Sequence, residues 1–147
     1  MAISLMEKLM KLDREKMMEV PTAKMRAKHL SEVAGENVEI TLKALSGNLY
    51  TELVSGATDK SGLIDAEKIY DVHARVAVAG CIEPDLKDKE LMKYYNAETP
   101  ADLAKILFQG GELVKVSEKI GALSGFVKED ERNNKKKDGL DYDSVKN

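Results

Sequence analysis

Residues 38–44 read Val38-Glu39-Ile40-Thr41-Leu42-Lys43-Ala44, and this alternation decides the fold class. Apolar and polar side chains change places at every step. A period of two puts Val38, Ile40, Leu42 and Ala44 on one face of a strand and Glu39, Thr41 and Lys43 on the other, a half-buried β-strand. Ala34-Gly35-Glu36-Asn37 just upstream has the composition of a connection. Before it, Met25, Ala27 and His29 offer an antiparallel partner, so the sequence predicts one β-hairpin over about residues 24–45. A helix through 25–33 competes for the same residues, because Met, Ala and Lys favour helix.

Working outward, the rest of the pattern is helical. Ser46 stands as N-cap before Leu49, Leu53 and Val54, and Gly56 with the loop at 59–62 ends that helix. Asp65 opens the next one, with Ile69, Val72, Val76 and Ala79 on one face. Gly80 is expected to end it in the left-handed conformation that glycine tolerates cheaply, with Pro84 setting the following turn. A short helix around Asp88–Tyr95 carries Leu91, Met92 and Tyr95. Thr99-Pro100 then reads as N-cap and first helical residue, with Asp102 completing a weak capping box. Leu103, Ile106 and Leu107 mark that helix; Leu113, Val116, Ile120 and Leu123 mark the last, closed by Gly125. At the other end, residues 3–18 carry Leu5, Leu9 and Leu12 at helical spacing, widened by Met6 and Met10. Asp13 opens a second short turn there, which Pro21 stops. The expected fold is a mainly helical small α+β domain over residues 1–125 with one hairpin.

After residue 125 the composition shifts. Residues 126–147 hold twelve charged side chains, six of each sign, against five apolar ones. So little apolar surface does not offset an ordering entropy of about 1–2 kcal/mol per residue. This segment is expected to be a mobile charged tail.

Composition narrows the function classes. A length of 147 residues fits one domain with one core, and 5% aromatic with no Trp leaves that core to Leu, Val, Ile, Ala and Met. A net charge of −3 gives no general attraction to nucleic acid or to anionic lipid. No apolar run approaches the roughly 18–20 residues that cross a bilayer. Glu7, Lys8 and Lys11 interrupt the first apolar pattern, which therefore does not read as a secretory signal. One cysteine leaves no internal disulfide framework and suits a reducing compartment.

Residues that carry chemistry elsewhere read here as structure. If one helix carries His73 and Cys81, eight residues at 1.5 Å rise hold them about 12 Å apart, too far for proton transfer or a shared metal. Cys81 then reads as a buried small hydrophobe. His29 and His73 with one Cys fall short of a four-ligand zinc site, and no CxxC or HxxxH spacing supports one. His73 is expected at the edge of an apolar face, satisfied by a backbone carbonyl or water. Glu83, Asp85, Asp88 and Glu90 alternate with Lys87, Lys89 and Lys93, the pattern of a solvated helix start rather than paired catalytic carboxylates. Ser55-Gly56 and Gly110-Gly111 lack the spacing of a phosphate loop. Asp138, Asp141 and Asp143 follow the basic triplet Lys135–Lys137 and cancel it as a phosphate-binding surface. Neither a catalytic site nor a cofactor or metal site is expected.

A series of phrases gives the chain a family resemblance. Lys43-Ala44-Leu45-Ser46-Gly47 precedes Tyr50; Glu83-Pro84-Asp85-Leu86-Lys87-Asp88-Lys89-Glu90-Leu91 follows. Thr99-Pro100, Leu103, Leu107 and Gly111-Glu112 come next, and Leu123-Ser124-Gly125-Phe126 closes the series. In that order and spacing the chain resembles the XkdN-like tail assembly chaperones of phages and phage-derived elements. One departure is Gly110, where the family often has Pro-Gly-Glu. The resemblance implies a protein without catalysis, located in the cytoplasm of the bacterial host. It further implies binding to the phage tape measure protein, which stays soluble until tail tube subunits polymerise around it. A structural component retained in the finished tail is the alternative. A helical DNA-binding regulator is disfavoured by the acidic balance.

One feature gives partner binding a physical basis within the sequence itself. Leu5, Met6, Leu9 and Met10 form a methionine-rich stripe, and unbranched, polarizable Met adapts to differently shaped apolar partners. The stripe suits the groove of another protein or of a neighbouring subunit, so self-association is a further expectation. The competing reading packs it on this domain's own core.

Overall fold

The strand predicted from the alternation is the middle strand of the sheet. The computed structural model describes residues 3–126. Three strands, β1 (Thr22–Arg26), β2 (Glu39–Lys43) and β3 (Cys81–Glu83), lie in the order β1-β2-β3, antiparallel throughout. Met25 stands opposite Ile40 and Ala23 opposite Leu42. Ile40 and Leu42 are fully buried and Ala23 and Met25 half-buried, while Thr22, Lys24, Arg26, Glu39 and Lys43 are exposed. The period of two therefore does in the fold what it promised in the sequence.

The hairpin differs from its expected form. β1 ends at Arg26, and Ala27 N–H still donates to Val38 O at 2.9 Å. The chain then turns into α3 (Lys28–Ala34), after α1 (Leu5–Met10) and α2 (Arg14–Met17) in the first twenty residues. His29 thus lies in a helix and not in the partner strand, and the connection holds two turns of helix besides Ala34–Asn37. The two competing readings divide the segment between them. A contact from far along the chain fixes the division: the Glu112 carboxylate accepts the N–H groups of Lys28 and His29, the latter at 3.0 Å. Those donors would otherwise be orphaned at a helix start whose cap residue, Ala27, has no side chain to offer. Gly35, at φ 75°, ends α3 in the left-handed region. Ser31 fastens the helix to the sheet, its buried Oγ accepting from Val38 N–H at 2.9 Å.

Local helix signals hold where they were strongest. Ser46 Oγ accepts from Leu49 N–H at the start of α4 (Gly47–Val54). Asp65 caps α5 (Ala66–Gly80) and Asp88 caps α6 (Lys89–Tyr94). Thr99 caps α7 (Pro100–Leu107), with Pro100 at its first position. Asp102 supplies its N–H to Thr99 Oγ1, the forward half of a box. The reciprocal box stands at Ser4 and Glu7, opening α1. Gly80 is a correction. It is the last residue of α5, is absent from the positive-φ glycines, and leads directly into β3. Its lack of a side chain serves packing instead: a Cβ there would meet Ile120 of α8 (Gly111–Leu123) at 2.6 Å.

The core forms where the buried sheet face meets α5, α7 and α8. Ile40, Leu42, Val76, Leu103, Leu113, Val116 and Ile120 fill it, with Leu86 and Phe108 from the connections. Each such side chain contributes roughly 1.5–3 kcal/mol through burial. Phe126, placed at the start of the charged segment by composition, stacks on Tyr50 with ring centroids 4.5 Å apart. Residues 127–147, expected as the charged tail, lie outside the described residues.

Candidate functional site

Residues 3–20 build a surface that the body leaves exposed. Ser4 Oγ accepts from Glu7 N–H at 3.2 Å and Glu7 Oε1 accepts from Ser4 N–H at 3.1 Å, so α1 is locally secured at its start. Asp13 occupies the cap position of α2 without a side-chain bond. Neither helix contains a buried residue. Leu5 is 70% exposed, Met6 67%, Leu9 45% and Met10 81%. Ile3, Leu12, Met17, Met18 and Val20 are exposed as well. Packing on the domain's own core, the alternative reading of the stripe, is not what the structure shows. So many exposed apolar side chains within one short stretch are unusual on a monomer.

The body adds two apolar depressions. One of ≈ 480 Å³ is floored by Leu49, Leu53, Val78, Ala79, Pro100 and Ala101 and rimmed by Asp71, Arg75, Lys87 and Asp102. Asp71 accepts from Arg75 Nε at 2.9 Å and from Lys105 Nζ at 3.2 Å. Burial raises its pKa, but the two cations together outweigh it and hold the carboxyl below its ordinary range. The other, ≈ 250 Å³, lies between Val54, Ile64, Ile69 and Val72, with Tyr50, His73 and Ser117 supplying its polar atoms.

The residues with chemical potential are committed to the fold. Cys81 is buried, and burial, with Asp85 adding to it, pushes its thiol up to about 12. A thiol in that state is no nucleophile at neutral pH. His73 Nδ1 lies 2.8 Å from Ser117 Oγ, so a hydroxyl, not the carbonyl or water expected, satisfies it. Burial lowers the His73 pKa against the opposing pull of Glu118. Asp85 Oδ1 accepts from Lys87 N–H at 3.0 Å, and Asp88 Oδ1 from Glu90 and Leu91 N–H at 2.8 and 3.0 Å. Two of the acidic residues between 83 and 90 thus cap a turn and a helix. Among the described residues no group of three or more His, Cys, Asp or Glu is placed to hold a metal ion. No described helix is long and apolar enough to cross a membrane.

Several phrase residues turn out to be ties between distant elements. Ser124 Oγ accepts from Leu45 N–H at 2.8 Å and donates to Ile120 O at 2.7 Å. Glu112 caps α3, and Tyr50 stacks on Phe126. Sequence reasoning missed these roles because each needs two segments brought together by the fold.

No curated protein matches the chain. Among solved structures, the crystal structure of the protein YqbN, a structural genomics target, resembles it with a TM-score of 0.51 and 28% sequence identity. That similarity covers 71% of this chain and 87% of the other. The family described as phage XkdN-like tail assembly chaperone protein matches residues 6–138, a span that takes in the whole sheet and every helix after α1. The chain belongs to the phage XkdN-like tail assembly chaperone family.

Proposed function

We propose that this protein acts without catalysis, binding the phage tape measure protein through the stripe Leu5, Met6, Leu9 and Met10. It keeps that long chain soluble in the bacterial cytoplasm until tail tube subunits assemble around it. The observation that carries this reading is the exposure of four large apolar side chains on a helix that contains no buried residue. A holdase must offer apolar surface and then release its client, and methionines provide contact without demanding one shape.

The test is co-expression of the full chain with the tape measure protein of the same phage or phage-derived element. Changing Leu5, Met6, Leu9 and Met10 together to Ala should leave the melting temperature within about 2 °C, since exposed sites usually change stability by less than about 0.5 kcal/mol. The same variant should lose most of the co-purifying tape measure protein. Undiminished association would place client binding elsewhere. Finding the chain in mature particles would favour a retained structural component.

A further inference from the structure

The open side of β1 carries backbone groups that no described residue pairs with. Pro21 O accepts from Ala44 N–H and Ala27 N–H donates to Val38 O, each at 2.9 Å, and these two bonds fix the parity of the ladder. Residues 21, 23, 25 and 27 turn their backbone groups toward β2, while Thr22, Lys24 and Arg26 turn theirs away. Because β1 is an end strand, those groups form an open edge. The N–H groups of Lys24 and Arg26 have no acceptor among the described residues. The opposite edge is poorer: β3 has three residues and runs into Pro84, which has no N–H.

Side chains on this edge select what can pair with it. Lys24 and Arg26 project from the exposed face, and neither joins an ion pair among the described residues. Arg26 Nε is held at 3.0 Å by Asn37 Oδ1, which orients the guanidinium, and Glu39 stands opposite it in the ladder without closing an ion pair. On the other face Ala23 and Met25 continue the apolar surface of Ile40 and Leu42. Cations on an edge strand guard against indiscriminate pairing. Two copies of β1 laid edge to edge would set Lys24 and Arg26 against the same residues of the other copy, so a second copy is disfavoured. A strand with acids at alternate positions would instead find Lys24 and Arg26 beside two of its acids and an apolar face beside its apolar residues.

We propose that the β1 edge accepts an extended segment of a partner protein, in which Asp or Glu alternates with apolar residues, as a fourth strand of the sheet. The site goes beyond the client reading above and does not depend on it.

The experiment uses the full chain, isotope-labelled, and two blocked synthetic peptides: acetyl-Thr-Val-Glu-Val-Glu-Val-Glu-Thr-Gly-amide and its counterpart with Lys for Glu. The acidic peptide should shift the amide resonances of Lys24 and Arg26 and slow their exchange. The basic one should bind at least about tenfold more weakly, a difference near 1.4 kcal/mol. Lys24→Glu with Arg26→Glu should reverse the preference. Lys24→Pro removes an outward N–H together with the Lys24 cation, a change an edge strand tolerates, and should abolish the Arg26 shift while the sheet melts as before. Equal binding of both peptides, or shifts confined to another surface, would overturn the proposal. So would Lys24 and Arg26 amides already protected in the free chain, whether by its own residues or by a second copy. None of these outcomes bears on the methionine stripe, because the tape measure protein is not in the assay.

Discussion

A Cβ on Gly80 would stand 2.6 Å from Cδ1 of Ile120 and 2.8 Å from both of its Cγ atoms, so the last turns of α5 and α8 are fitted to each other at this one point. Ile120 is fully buried and branched at Cβ, and its Cγ atoms have no room to step aside.

Gly80→Ala should therefore destabilise the protein. Helix propensity alone favours Ala over Gly by about 1 kcal/mol, while overpacking a filled core costs about 1–3 kcal/mol. Urea unfolding should show a net loss. Combining Gly80→Ala with Ile120→Ala should cost less than the two single changes added, because removing Cδ1 and both Cγ atoms makes the room that the new Cβ needs. A more stable Gly80→Ala variant would mean that the two helices simply part.

Glu112→Ala should loosen α3 and the strand connection around it. Removing the carboxylate leaves the N–H groups of Lys28 and His29 without their acceptor, a capping loss of about 0.5–2 kcal/mol. Hydrogen exchange should rise at those two amides well before it rises in α5. Glu112→Gln keeps one acceptor oxygen and should restore part of the protection. Unchanged exchange at both amides would show that solvent caps the helix equally well.

Stability should fall as pH drops below about 6.5, with His73 a named contributor. Its folded pKa lies below the ordinary 6.5 because burial penalises the imidazolium, with Glu118 opposing. Between the two values the unfolded chain binds more protons than the folded one, so stability rises with pH there. The His73 contribution is complete above 6.5 and is lost as pH falls from that value through the folded pKa. Urea titrations of parent and His73→Gln at several pH values should show a shallower loss in the variant below pH 6.5. Parallel curves would remove His73 as the source.

Cys81 should resist thiol reagents until the protein opens. With the thiol pushed up to about 12 and its side chain buried, the thiolate is scarce at pH 8 and the reagent has no access. Labelling at pH 8 should track unfolding as urea is added. Prompt labelling of the native protein would place the sulfur nearer the surface than α5 and β3 put it.

Some of this molecule is written locally. An alternation of two at Val38–Ala44 makes β2 half-buried wherever it is placed, and Ser46, Asp65, Asp88 and Thr99 cap helices whose donors lie two or three residues away. Those relationships close within one turn of chain, so the residues alone determine them. Other features needed the assembled fold. The helix at Lys28–Ala34 rests on Glu112 from the far end of the chain, β3 is three residues long and exists only against β2, and Gly80 answers to Ile120. Whether the stripe at Leu5–Met10 is core or surface was also undecided, because an amphipathic helix has the same periodicity in either place. Exposure, tertiary caps and close packing are properties of pairs of residues far apart in sequence, and only the tertiary structure brings such pairs together.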